Sequence, residues 1–348
     1  MTQVNYGFFF VQVLFFVFLL LVLIHYCMEL RSFSSRLSWS IIKVVSIIFV
    51  IVLLITAFVF YEVEHGVKGP SHTMFMYLNL VLVGIIGLVI LFFVCRHIIR
   101  TASRANDRIE SELNLARAIQ LGILRKDFPS QLYAMVEPAR EVGGDLYDFG
   151  IVDDTLYFSI GDVSGKGIPA SMMMAHTRAY MRFVAEFRLQ GSEAMSRINR
   201  NCINEYNLFV TLFVASVNLK TGHMRFVNAG HNPLLIIPPD GEPYFLHEKP
   251  NLAVGLIEDF KYEAESVDLK LGTRIVAYTD GVTEAESIKK DENNSPIMFG
   301  NDRLLQWAKS IDNVTDEKSV VDSLYAEIKK FTEGAEQNDD ITIMSIRV

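Results

Sequence analysis

Cysteine is scarce in this sequence. The 348 residues contain three cysteines, Cys27, Cys95 and Cys202, and none of them forms a Cys-x-x-Cys pair. A disulfide framework and a zinc ribbon are therefore excluded, because both need paired cysteines. Disorder is excluded too, since hydrophobic residues make up 51% of the chain.

Charge is nearly missing from the first hundred residues. They hold six lysines and arginines against three acids, whereas residues 101–348 hold 26 basic residues against 37 acidic ones. The net charge of −8 therefore comes from the second part of the chain. An acidic second part argues against nucleic acid as a partner, because phosphate backbones are bound by basic surfaces.

Uncharged runs predict a transmembrane region over residues 1–97. Residues 1–28 contain no Asp, Glu, Lys or Arg, and two more such runs follow after Lys43 and after Lys68. About 20 apolar residues cross a bilayer as a helix. We therefore predict three spans, at about 6–28, 40–61 and 74–97. The first is too long, and its N-terminus too poor in positive charge, for a signal peptide.

The arginines predict the orientation of these spans. Arg31 and Arg36 lie in the first loop, and four arginines between Arg96 and Arg108 follow the third span. Positive charge marks the cytoplasmic side. We expect the N-terminus outside and the acidic second part in the cytoplasm.

Residues 98–125 predict an amphipathic connector helix, because apolar side chains recur there at steps of three and four. Two interpretations remain open for its apolar stripe. It packs on its own domain, or it forms a two-stranded coiled coil that makes a homodimer.

Residues 126–348 change to short strands, turns and helices, which is typical of an α+β layered domain. The predicted helix begins at Pro169, with Met172–Met174 assigned to the core. The predicted strands are 155–161, 208–218, 224–228, 273–278 and 341–347. Residues 284–300 read as a polar loop beside Asp280.

Aspartates stand where these elements begin or end: Asp145, Asp162, Asp280, Asp339 and Asp340. Carboxylates from separate strand ends can converge on one edge of a sheet, and hard cations such as Mg²⁺ and Mn²⁺ prefer oxygen ligands. Gly144, beside Asp145, lets the backbone come close and leaves a carbonyl able to coordinate. Each motif is weak alone, since Asp-Gly is usually only a turn.

Together the motifs resemble a known family. The ordered segments look like the bacterial PPM-type serine phosphatases, the protein-phosphatase-2C-like enzymes of the SpoIIE/RsbU branch. The resemblance covers about residues 125–348. It rests on PAREVGGDLYDF, GDVSGKGIPASMMMA, LFVTLFVASVNLKTGHMRFVNAGHNPLL, YTDGVTEA, FGNDRLLQ and DDITIMSIRV.

The resemblance implies two central antiparallel sheets flanked by helices, with two Mn²⁺ or Mg²⁺ ions at one edge. Matched by motif, the ligands would be Asp145, Asp162, Asp280 and Asp339, with the backbone carbonyl of Val163; Asp340 is the less favoured neighbour. Water between two cations becomes a nucleophile near neutral pH, so no nucleophilic cysteine is expected.

Two further residues have open roles. Arg140 lies five residues before Asp145 and could contact phosphate, although a surface arginine is the plainer interpretation. His231 could assist proton transfer, although its turn-rich surroundings favour a structural role. Where animal members of the superfamily carry a histidine after their metal aspartate, this chain has Ser164, which leaves the acid for the leaving group unassigned.

The sequence thus predicts a metal-dependent protein serine/threonine phosphatase in the inner membrane of a bacterium. The resemblance implies a phosphorylated STAS-domain anti-sigma-factor antagonist as substrate, with regulation through the connector helix. Two alternatives remain. One is a catalytically silent membrane-tethered binding protein with the same fold, and the other is a nucleotide cyclase, because Gly-Gly-Asp also occurs in that class.

Overall fold

The computed structural model describes residues 70–246, 251–290, 293–312 and 315–348. The predicted spans at 6–28 and 40–61 lie outside these residues. The chain divides into two compact units, Met1–Asp107 and Arg108–Val348. In the first unit the described residues belong to one helix, α1, which covers Pro70–Ile123 and continues into the second unit.

The structure does not support the span predicted at 74–97. Among the described residues, no helix has both the length and the apolarity needed to cross a bilayer. The predicted connector, 98–125, forms the last part of this helix, which ends at Ile123.

The second unit is built from twelve strands and five further helices among the described residues. The strands are β1 (Leu132–Glu137), β2 (Leu146–Val152), β3 (Thr155–Val163), β4 (Val210–Asn218), β5 (His223–Ala229), β6 (Leu235–Ile237), β7 (Tyr244–Phe245), β8 (Glu265–Asp268), β9 (Arg274–Tyr278), β10 (Glu286–Lys290), β11 (Pro296–Met298) and β12 (Ile341–Arg347). The helices are α2 (Ile168–Glu186), α3 (Gly191–Cys202), α4 (Asp280–Thr283), α5 (Gly300–Ala308) and α6 (Glu317–Thr332).

Two antiparallel five-stranded sheets form the centre of this unit. Sheet one has the order β1-β12-β9-β6-β7, and sheet two has the order β2-β3-β4-β5-β8. Apolar side chains from both sheets, such as Phe158, Phe213, Ile275 and Met344, pack together in one buried cluster. Stacked sheets need such a shared apolar layer. The predicted two-sheet core is therefore confirmed.

Helices cover the outer face of each sheet. Helices α2 and α3 pack on sheet two through Met174, Met195 and Ile198. Helices α5 and α6 pack on sheet one through Leu304, Leu324 and Ile328. The result is a four-layer α/β/β/α sandwich, which places the predicted domain in the α+β class as expected.

Two predictions of local structure were wrong. Met172 was assigned to the core with its neighbours, yet it is 70% exposed while Met174 is fully buried. Successive helical residues point about 100° apart, so one face of α2 cannot bury all three methionines. The predicted loop at 284–300 contains the hairpin of β10 and β11, whose turn is helped by Asn294 at φ 64°.

A buried ion pair holds α6 against sheet one. Arg274 Nε lies 3.0 Å from Glu317 Oε2, and the two side chains are 2% and 3% exposed. Arg347 Nε donates to the same carboxylate at 2.9 Å, and the hydroxyl of Ser345 also donates to it. Glu317 therefore joins the start of α6 to β9 and β12.

Replacing Glu317 tests this role. Glu317→Ala leaves the guanidinium of Arg274 buried without its counter-charge, and we expect the free energy of unfolding to fall by roughly 3–5 kcal/mol. Glu327→Ala, at an exposed ion pair in the same helix, should change it by less than about 1 kcal/mol. Urea unfolding of both variants measures the difference. Equal, small losses would contradict a stabilising role for Glu317.

Candidate active site

The two sheets bring the predicted aspartates to one edge of the sandwich. In sheet two, β2 begins directly after Asp145, and Asp162 is the second-to-last residue of β3, which pairs antiparallel with β2. In sheet one, Asp280 follows β9 and Asp340 precedes the neighbouring strand β12. Antiparallel neighbours place the end of one strand beside the start of the next. Each sheet therefore contributes its aspartates at the same edge.

Asp145 is a buried member of the predicted ligands, and hydrogen bonds hold its carboxylate in place. Its side chain is buried, and its Oδ2 accepts hydrogen bonds from Thr279 Oγ1 at 2.7 Å and from Thr342 Oγ1 at 2.6 Å. Both threonines belong to sheet one, whereas Asp145 leads into sheet two. The sequence analysis missed these hydroxyls, which stand next to Asp280 and two residues after Asp340. Their positions close to the predicted aspartates are the sequence feature by which these two threonines could have been identified.

The carboxylates repel one another. Burial raises the pKa of Asp162 to about 8, and the negative charges of Asp280, Asp339 and Asp340 add to this rise. Burial also raises the pKa of Asp145, together with the charges of Asp162 and Asp340. For Asp280, burial and then the charge of Asp339 raise the pKa. Ionising all of these groups together therefore opposes folding unless positive charge is supplied.

The backbone around Asp162 is shaped for close approach. A Cβ atom on Gly144 would lie 3.0 Å from the carbonyl oxygen of Val163 and 3.3 Å from Asp162 Oδ1. That carbonyl and that carboxylate therefore lie together against Gly144. Val163 itself is 1% exposed. The proximity agrees with the predicted pairing of a carbonyl with a carboxylate, and it explains why glycine stands at position 144.

Asp340, the less favoured ligand of the sequence analysis, binds the backbone before β2. Its carboxylate accepts hydrogen bonds from three backbone N–H groups: Ala139 at 2.8 Å, Gly144 at 2.6 Å and Asp145 at 3.4 Å. A Cβ on Gly143 would come within 2.3 Å of its Oδ2. Asp340 thus holds the segment before β2 in place, and Gly143 leaves room for it.

Asp339 is more accessible than its neighbour. Its side chain is 34% exposed, and its Oδ2 lies 2.9 Å from Lys166 Nζ. Of the ion pairs in the described part of the chain, this is the one that includes a predicted site residue. The sequence analysis passed over Lys166, although it stands inside the GDVSGKG motif.

Arg140 and His231 make none of the described hydrogen bonds or ion pairs with the carboxylate groups, although Thr211, which contacts His231, also donates to the backbone carbonyl of Asp162. Arg140 is exposed and makes none of the described hydrogen bonds or ion pairs. His231 is 7% exposed, and its ring Nδ1 lies 3.1 Å from Thr211 Oγ1. The backbone N–H of His231 donates to Asn228 Oδ1. Burial lowers the pKa of His231 to about 4. A histidine with this pKa is neutral at pH 7, and its backbone contact with Asn228 agrees with the structural interpretation.

Cys202 and the Gly-Gly-Asp segment can be assigned from their surroundings. Burial raises the pKa of the Cys202 thiol to about 11, so it is not a thiolate at neutral pH. Gly143 and Gly144 lie between β1 and β2, which belong to different sheets, so Asp145 is not at the tip of a hairpin. The nucleotide-cyclase alternative depended on such a hairpin and is not retained.

The chemical type of the donor atoms at this edge suits a hard divalent cation. They are all oxygens, several are buried, and their mutual repulsion is the kind that bound cations relieve. In the ranges that the structure describes, however, no group of three or more Asp, Glu, His or Cys side chains is arranged to hold one ion. Asp145 and Asp339 are instead engaged by Thr279, Thr342 and Lys166.

The four-layer sandwich is the protein-phosphatase-2C-like fold. The SiaA-PP2C domain of Pseudomonas aeruginosa superposes with a TM-score of 0.61 at 20% identity, over 70% of this chain and 98% of that domain. At this identity the likeness establishes the fold.

The chain belongs to the SpoIIE family, Stage II sporulation protein E, whose sequence model matches residues 152–348. It is 29% identical to Protein IcfG of Synechocystis sp. over 269 residues, and 28% identical to the phosphoserine phosphatase RsbU of Bacillus subtilis over 196 residues. The matches cover 68% and 54% of this chain. They cover 41% of IcfG and 58% of RsbU, so the chain spans about half the length of these relatives.

The contrast between the two neighbouring aspartates can be tested in the metal-free protein. Asp340→Ala leaves three backbone donors without their acceptor, and we expect the free energy of unfolding to fall by roughly 2–4 kcal/mol. Asp339→Ala removes one partly exposed ion pair and should cost at most about 1 kcal/mol. Denaturant unfolding with chelator present measures both. A larger loss for Asp339→Ala would reverse the assignment.

Proposed function

We propose that this chain is a metal-dependent protein serine/threonine phosphatase that hydrolyses phosphoserine on a cytoplasmic regulatory protein. The observation that carries the proposal is the gathering of aspartates from both sheets at one edge, where their pKa values rise through burial and mutual repulsion. Family membership supports the same reaction, since one relative is named a phosphoserine phosphatase.

Asp145, Asp162, Asp280 and Asp339 would hold two Mn²⁺ or Mg²⁺ ions, together with the carbonyl of Val163. When bound, such ions supply an activated water for in-line attack on phosphorus and offset the charge of the phosphoryl oxygens. The chain's own residues prepare the site. Thr279 and Thr342 fix the orientation of Asp145, and Asp340 fixes the backbone that carries it.

The substrate we propose is a phosphorylated STAS-domain anti-sigma-factor antagonist. The support is the resemblance to the SpoIIE/RsbU branch and the match to RsbU. The exposed side of the site agrees with a protein substrate, because Asp339 and Lys166 are reachable from solvent.

One mutation tests the reaction. Asp162→Asn in the full-length chain should reduce Mn²⁺-dependent phosphate release from a phosphoserine protein by about 100-fold or more, because it removes a carboxylate from the site. Asp154→Asn, at an exposed ion pair with Lys220, is the matched control and should retain activity. Chelator should abolish release by the unmodified chain. Release that survives chelator or Asp162→Asn would contradict the proposal.

A catalytically silent binding protein is the second candidate. The observation in its favour is that no described group of three carboxylates is arranged around a common ion position. Calorimetry with Mn²⁺ separates the two candidates. Metal binding that disappears in Asp162→Asn supports the phosphatase, whereas no binding by the unmodified chain supports the silent protein.

We further propose that residues ahead of α1 attach the chain to a bacterial inner membrane. The support is the charge-free sequence of residues 1–28 and 44–61. Carbonate extraction of membranes from expressing cells tests it. Release of the full-length chain by carbonate would contradict the attachment.

We also propose that α1 controls the site. The support is a pair of hydrogen bonds within the chain. A dimer of two such helices rests on the apolar stripe of residues 98–125 alone. Gln120 Nε2 donates to the carbonyl of Gly143 at 2.6 Å, and the N–H of Gly143 donates to Gln120 Oε1 at 3.1 Å. Gln120 is 7% exposed, and Gly143 stands two residues before Asp145. A shift of this part of α1 would therefore move the backbone that carries Asp145.

Breaking the contact between Gln120 and Gly143 should raise the Mn²⁺ concentration that the phosphatase reaction requires. Gln120→Leu removes both hydrogen bonds, and we expect the Mn²⁺ concentration for half-maximal phosphatase activity to rise by about tenfold. Arg117→Met, which breaks a partly exposed ion pair in the same helix, should leave it unchanged. Activity against Mn²⁺ concentration measures both. An unchanged metal requirement in Gln120→Leu would refute the coupling.

A further inference from the structure

Lys166 lies in the loop between β3 and α2, and its side chain extends across the site. Gly165 and Gly167 flank it with φ values of +88° and +76°, a backbone region that favours glycine. Its Nζ lies 2.9 Å from Asp339 Oδ2 and also donates to the carbonyl of Asn338. The side chain therefore spans from the sheet-two side of the site to the segment before β12.

This lysine brings positive charge to an edge crowded with negative charge. Its charge acts on Asp280 as well as on Asp339, opposing the effects of Asp339 and Glu284 on Asp280. Arg140, the cation that the sequence offered for phosphate, makes no described contact with these groups. A phosphoserine brings about two further negative charges to such an edge. The ammonium of Lys166 is thus the chain's own counter-charge in position for it.

The ammonium is also accessible. The side chain of Lys166 is 40% exposed, unlike the buried Asp145 and Asp340. It lines a groove of about 190 Å³ together with Gln337, Asn338 and Asp339. A ligand in this groove can therefore contact Nζ from the solvent side, next to Asp339.

The ion pair with Asp339 is not needed for stability. Pairs with this exposure contribute little to folding, because solvent screens them and two long side chains must be ordered. If Asp339 turned toward a cation, Lys166 would lose its partner while remaining at the edge of the site. The ammonium has three N–H donors, so the hydrogen bond to the carbonyl of Asn338 still leaves donors for a phosphoryl oxygen.

We propose that Lys166 binds the phosphoryl group of the substrate, donating hydrogen bonds from Nζ to a phosphoryl oxygen. The inference rests on the proposed phosphatase function, because it assigns a substrate contact at that same site. The plainer alternative is that Lys166 serves as a surface ion-pair partner of Asp339 and nothing more.

The test compares Lys166→Met and Lys166→Arg with the unmodified full-length chain. For Lys166→Met we expect KM for the phosphoserine protein, and the inhibition constant of inorganic phosphate, to rise by about tenfold through loss of a charge-assisted hydrogen bond. Lys166→Arg should recover much of both constants. Lys220→Met, which breaks an exposed lysine–aspartate pair at the opposite end of β4, should leave both constants unchanged.

A binding measurement separates this inference from the proposed function. Calorimetry of inorganic phosphate with the full-length chain in Mg²⁺ reports on the contact without turnover. Weaker phosphate binding in Lys166→Met supports the inference even if the unmodified chain releases no phosphate, an outcome that would defeat only the phosphatase proposal. Phosphate constants in Lys166→Met equal to those of Lys220→Met would overturn it. The inference would also be overturned if Lys166→Met lost Mg²⁺ binding but kept its affinity for phosphate.

Discussion

The carboxylate of Asp340 joins the two halves of the site. It stands before β12 in sheet one, yet it accepts hydrogen bonds from the backbone of Ala139, Gly144 and Asp145, which lead into sheet two. Because the apolar layer between the sheets is not directional, it does not by itself fix how the strand ends meet. Directional bonds from one buried carboxylate do so. Thr279 and Thr342 add to them by binding Asp145 from the sheet-one side.

The same edge carries an electrostatic cost. Aspartates that are buried or half-buried raise one another's pKa, and among the described ion pairs the one that reaches a predicted ligand is that of Lys166 with Asp339. Stability obtained elsewhere must compensate for this cost. The sandwich provides it through three apolar layers and through the buried pair of Arg274 and Glu317. A structure that tolerates such repulsion at one place is typical of a functional site.

The site and α1 are connected through backbone groups and not through the carboxylates. Gln120 binds both polar groups of Gly143, so the helix contacts the segment whose other residues are held by Asp340. The segment from Ala139 to Asp145 is therefore held from two directions.

The sequence by itself determined the α+β class, because short strands, turns and helices are recognised from local patterns. The two-sheet architecture and the choice of acidic residues came from the resemblance carried by the ordered motifs from VGGD to DDIT. Tertiary structure decided what each residue does. That Asp340 binds backbone while Asp339 pairs with Lys166 depends on where the segment before β12 meets Gly144 and Lys166. The contacts of Thr279, Thr342 and Gln120 join residues far apart in the chain. No local pattern encodes such contacts, because they arise only when two sheets and a helix pack together.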